Sequence, residues 1–153
     1  GDARVTRTTG SAQLLALILQ RRGIGAAVIE AHGGHLVKAV ADNLCASFDD
    51  PTTAIHAALA VHEAFAEYSD NQLPEARIEV AIGLGHGQIL DLDGEDCFGD
   101  EVNLAFKLGE DIAEGTETLV TGSVRAQLGQ HPWRLEQRQQ RIAGLDLPYW
   151  AVL

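Results

Sequence analysis

The chain has 153 residues, of which 46% are hydrophobic, 22% charged and 5% aromatic. That is enough apolar material for one ordinary core, and it is not the profile of a disordered chain. With 22 acidic residues against 11 basic ones the net charge is −11, which argues against the broad basic face that DNA, RNA or an anionic membrane surface requires.

No apolar run approaches the roughly 20 residues of a membrane span, so this domain is expected not to insert in a membrane. The two cysteines, Cys45 and Cys97, form no CxxC pair. They read as small core residues, in keeping with a reducing, cytoplasmic compartment. No repeat or linker divides the sequence, and residues 1–153 read as one domain.

Residues 11–31 are expected to form a helix. Leu14, Leu15, Leu17, Ile18, Val28 and Ile29 supply its apolar face, Ser11 can cap it, and Gly33-Gly34 ends it. Residues 35–40 and 44–48 predict two short strands joined by Ala41-Asp42-Asn43, a hairpin. A second helix starts at Asp49-Asp50-Pro51-Thr52, with Asp50 or Thr52 as its cap; Ile55, Ala58, Leu59, His62 and Phe65 keep helical spacing.

Residues 77–84 alternate, with Ile78, Val80 and Ile82 against Arg77, Glu79 and Ala81, and predict a strand. His86-Gly87 turns the chain, and residues 88–92 are expected to return as the partner strand. An acidic loop leads to Asp96. A third helix should start near Gly99 and end at Leu108 or Ile112. Residues 118–121 predict a strand, 123–128 a short helix, and 133–136 and 149–153 the last two strands. The order predicts an α+β fold, with helices packed on an antiparallel-rich sheet.

Three blocks stand out in this order. They are His32-Gly33-Gly34-His35-Leu36-Val37-Lys38 with its continuation to Asp42-Asn43; Ile82-Gly83-Leu84-Gly85-His86-Gly87; and Asp96-Cys97-Phe98-Gly99-Asp100-Glu101-Val102-Asn103-Leu104-Ala105-Phe106-Lys107-Leu108. With their spacing they resemble the catalytic domain of class III adenylate/guanylate cyclases, over most of the chain. The ending Gly144-Leu145-Asp146-Leu147-Pro148-Tyr149-Trp150 is similar to that family's last turn and strand.

The resemblance implies a ferredoxin-like βαββαβ core with extra C-terminal strands. It also implies a head-to-tail homodimer with active sites at the interface, and conversion of ATP to 3′,5′-cyclic AMP and pyrophosphate with Mg²⁺ or Mn²⁺. Asp42 matches a metal aspartate; the bland alternative is a turn residue. Lys38 and Asp96 match the base-reading pair. A lysine donates to adenine N1 and a carboxylate accepts from N6, so the pair implies ATP. Asn103 matches the ribose-orienting asparagine. Lys107, four residues on and on the same helix face, stands where an arginine is usual; it keeps the charge but not the planar fork. The six histidines read as structural or surface residues rather than a ligand cluster.

Three departures set a second reading beside the first. The family's first strand and first metal aspartate are expected just upstream of residue 1. Lysine replaces arginine at 107, and Ala143-Gly144 stands where a phosphate-binding lysine is frequent. The alternative is therefore a catalytically weak or inactive cyclase-homology domain that binds nucleotide or dimerises as a regulatory module.

Overall fold

The computed structural model describes residues 5–9, 13–18, 22–40, 43–92, 96–142 and 145–153, with side chains placed for 22–39, 43–75, 77–90, 98–139 and 146–153. Among these, Val5–Thr9 (β1) and Gln13–Ile18 (β2) precede helix Arg22–Ala31 (α1). The hairpin His35–Val40 (β3) and Asn43–Phe48 (β4) leads into helix Pro51–Asp70 (α2). Strands Ile82–His86 (β5), Ile89–Leu92 (β6) and Asp96–Phe98 (β7) lead to helix Asp100–Lys107 (α3), which runs into a π turn at Leu108–Ile112. Thr118–Thr121 (β8), helix Gly122–Gln127 (α4), Leu135–Ile142 (β9) and Leu145–Val152 (β10) complete the order.

Seven strands form one sheet in the order β3-β4-β2-β5-β8-β10-β9, and β1-β6-β7 form a second. All pairs are antiparallel except β5 with β8. Within the large sheet, β2-α1-β3-β4-α2-β5 is a βαββαβ unit with its strands in the ferredoxin-like order.

This placement corrects the expected helix over residues 11–31. Helix is found from Arg22, while Gln13–Ile18 is a strand paired with β4 on one side and β5 on the other. The run Leu-Leu-Ala-Leu-Ile is apolar at every position, so it satisfies a helical stripe and equally suits a central strand covered on both faces. Ser11, the proposed cap, lies outside the described residues. The first strand of the core is thus β2 rather than a strand ahead of residue 1, and both of its ladder edges are in use.

Strand periodicity decides what faces what. On β4, Leu44, Ala46 and Phe48 join the cluster under α1 and α2, with Ile29, Ile55, Val61 and Phe65, whereas Cys45 faces α3 with Val102 and Ala105. On β5, Ile82 and Leu84 enter the first cluster while Gly83 and Gly85 turn to α3. A Cβ at Gly83 would overlap the Ala105 carbonyl oxygen and lie 2.7 Å from the Gly109 nitrogen. The alternating glycines let the helix backbone rest directly on the strand. Burying a side chain such as Phe65, Ile55 or Leu84, each at most 2% exposed, stabilises the fold by roughly 1.5–3 kcal/mol.

Asp50 caps α2: its carboxylate accepts from the Thr53 N–H at 2.9 Å and from the Thr53 hydroxyl at 2.7 Å. These bonds hold its pKa below the usual carboxylate value. His62, on the buried side of α2, bonds Thr118 Oγ1 through Nε2 at 2.7 Å. Burial pushes its pKa down to about 4, so the ring is neutral at pH 7.

Three further expectations change. The alternation over residues 77–84 holds as burial, with Ile78, Val80 and Ile82 buried, but the ladder starts at Ile82. The segment after His86-Gly87 does not return along β5; it pairs with β1 and β7 in the second sheet. The last strands are longer than expected and pair with each other along their whole length.

Candidate functional site

Lys38, Asn103 and Lys107, three of the residues singled out above, lie on the α3 side of the large sheet. On β3, strict alternation would place Lys38 on the side of Leu36, which packs under α1 and α2. A register shift between Leu36 and Lys38 breaks the alternation, as a bulge does where a side chain must be re-aimed. Val37 packs with the cluster under α3, and the Lys38 ammonium lies over the Phe106 ring, 5.9 Å from its centroid.

α3 is fixed on the sheet by Glu101 as well as by the glycine contacts. One carboxylate oxygen of Glu101 accepts from the His86 N–H at 3.0 Å and from the Thr121 hydroxyl at 2.6 Å. Asp100 and Glu101 lie in the first turn of the helix, where its dipole favours acidic groups. Asn103 and Lys107 then fall one turn apart on an exposed stripe. The Lys107 ammonium is 3.5 Å from Asp111, and both side chains are more than half exposed. A pair so open to water is weak, and Lys107 can leave it for a stronger anion.

The stripe next to this one is formed by Phe106 and Glu110. The π turn begins between them, closed by the Ala113 N–H bonding the Leu108 carbonyl at 2.7 Å. Lys38, Asn43, Cys45, Phe106 and Glu110 line a cavity of about 310 Å³. Across it, Asn43 Nδ2 donates to Glu110 Oε1 at 2.7 Å.

The structure therefore brings Lys38 against α3 and places Asn103 and Lys107 on the same helix. Asp42 lies outside the described residues and precedes Asn43 in the sequence. For Asp96 the backbone alone is described: it opens β7, paired with Leu92, and β7 lies beside β3. Sequence reasoning missed Asn43, Phe106 and Glu110. The i,i+4 spacing of the last two is a signal that they share a face; nothing local announces the bond to Asn43.

The expected two-carboxylate metal set can be tested on the neighbour of the hairpin tip. Ile18, at the end of β2, pairs with Asn43. No Asp or Glu occurs between residues 3 and 29. The strand that adjoins Asp42's hairpin supplies no carboxylate, so these residues do not fit the two-aspartate set.

The fold and this face define a class, a βαββαβ domain with a cavity of about 310 Å³ between the first hairpin and the third helix. Comparison with known proteins makes the class specific. The chain is 33% identical to an adenylate cyclase of Streptomyces coelicolor over 108 residues, 71% of this chain and 26% of that protein. An adenylate/guanylate cyclase/hydrolase structure from Silicibacter pomeroyi superposes with a TM-score of 0.78 at 24% identity, covering 97% of this chain and 98% of that one. The guanylate cyclase domain from Catenaria anguillulae in complex with GTP gives 0.75 at 13% identity, covering 97% and 98%.

No family model matches the chain. The chain spans between a quarter and two-fifths of the length of the curated relatives it matches. It carries the catalytic-domain fold of the class III adenylate/guanylate cyclases.

Proposed function

We propose that this domain is a nucleotide cyclase that takes ATP and forms 3′,5′-cyclic AMP, releasing pyrophosphate. The observation that carries this reading is the placement of Lys38 against α3 by the register shift in β3, in one cavity with Phe106, beside the helix that bears Asn103 and Lys107. The sequence relation to an adenylate cyclase supports the same substrate.

In this reading the Lys38 ammonium donates to adenine N1 and the Asp96 carboxylate accepts from N6. Asn103 holds the ribose so that its 3′-hydroxyl faces the α-phosphate. The 3′-hydroxyl gives up its proton to solvent water as the O3′–phosphorus bond forms, the bond from that phosphorus to the bridging oxygen breaks, and pyrophosphate leaves with the electron pair. Lys107 moves from Asp111 to the phosphates and offsets their charge as a point cation. Asp42 would be the one carboxylate to hold Mg²⁺ or Mn²⁺, which would supply charge neutralisation at the phosphates. No step is assigned to a metal pair, because β2 brings no second carboxylate. The site is read as shared between two copies in a homodimer.

The acid-free β2 favours a second reading, nucleotide binding with little or no turnover. One experiment separates them. Purified protein is incubated with ATP and Mn²⁺, and cyclic AMP and bound ATP are both measured. The cyclase reading predicts product that Asn103→Ala abolishes while binding persists. Saturable binding without product would leave the regulatory module, and no nucleotide affinity would refute both.

A further inference from the structure

We infer that Glu110 is a base-reading residue of this site, accepting from the exocyclic N6 amino group of adenine; the inference rests on the nucleotide-site reading above. Glu110 sits in the π turn that closes the C-terminal end of α3, and π turns are frequent at functional sites. The backbone of that turn cannot recede, since Gly109 lies on β5 at the point where Gly83 has no side chain. Its carboxylate is held by Asn43 Nδ2 at 2.7 Å, which fixes one oxygen. The other Glu110 oxygen and the Asn43 carbonyl have no hydrogen-bond partner among the described residues.

The chemistry of the cavity follows from its lining. Lys38 supplies a cationic donor, Phe106 a flat apolar wall, and Glu110 with Asn43 two acceptors. A planar base stacks on an aromatic ring. Adenine then needs a donor for N1 and an acceptor for the N6 amino group, and both are present. Asp96 is no longer the sole carboxylate available for N6. The bond from Asn43 matters because a held acceptor costs less entropy to use than a free one.

The test uses two triphosphates that differ only at that amino group, ATP and purine riboside triphosphate. Their dissociation constants are measured by calorimetry for the wild-type chain and Glu110→Ala. Glu110 is exposed, and matching thermal melts establish that the variant folds. Loss of a hydrogen bond to a charged acceptor is expected to weaken ATP about tenfold or more, while purine riboside triphosphate changes by less than about twofold. Equal weakening of both ligands would mean that Glu110 acts through the hairpin and not on the amino group, and would overturn the inference. So would unchanged ATP binding. If the wild-type chain binds neither nucleotide, the nucleotide-site reading itself fails and the inference falls with it.

Discussion

The contact between β5 and α3 makes a prediction of opposite signs for one substitution at two glycines. Gly83→Ala adds a methyl group where the Ala105 carbonyl oxygen and the Gly109 nitrogen, 2.7 Å from the new Cβ, already stand. Both neighbours are backbone, so no rotamer change relieves the clash and the helix must lift from the sheet. Overpacking of this kind costs about 1–3 kcal/mol, and the rigid partners place this case near 3. For a chain of this size that is a fall in Tm of roughly 6–12 °C.

Gly23→Ala, in α1, meets nothing within 4 Å. It is expected to stabilise by about 0.4–1 kcal/mol, because alanine loses less backbone freedom on folding. Urea denaturation of the two variants beside the parent measures both effects. A Gly83→Ala variant within about 0.5 kcal/mol of the parent, the range of an ordinary surface change, would refute the close-approach account. Equal signs at the two sites would do the same.

Three further outcomes follow from the same contacts. The pKa of His62 is about 4 in the folded chain against an unfolded value of about 6.5. The unfolded chain therefore takes up the proton first. The contribution is complete above about pH 6.5, is lost as pH falls toward 4, and is on the order of 3 kcal/mol. His62→Asn should flatten urea midpoints between pH 7 and 4.5, and an unchanged slope would count against this. Glu101→Ala leaves two donors, the His86 N–H and the Thr121 hydroxyl, without their acceptor; it is expected to cost about 1–3 kcal/mol in urea denaturation. Lys107→Arg restores a planar fork for the phosphates and should raise the rate of cyclic AMP formation; a rate at or below the parent's would remove Lys107 from the phosphate role.

The parts of the fold legible in the sequence were those specified locally. The β3–β4 hairpin, the Asp50 cap and the start of α3 each follow from a turn, a cap or a glycine next to a periodic run. β2 was not legible because an all-apolar run carries no period to choose between helix and strand. The departure of β6 from β5 depends on pairing with β1, some 80 positions earlier in the chain, and distant pairing leaves no local mark. At the site, the motifs pointed to Lys38, Asn103 and Lys107. The bulge that re-aims Lys38 and the Asn43–Glu110 bond, between residues 67 apart, arise only when hairpin and helix meet across the sheet.

The proposed function has this face of the sheet take ATP and close its ribose phosphate ring. It is tested most directly by the ratio of cyclic AMP formed from ATP to cyclic GMP formed from GTP, measured with Mn²⁺ for the wild-type chain and for Lys38→Glu. Product from ATP is expected in clear excess, and the ratio is expected to fall about tenfold when the donor to N1 becomes an acceptor. An unchanged ratio, or no cyclic product from either nucleotide, would contradict it.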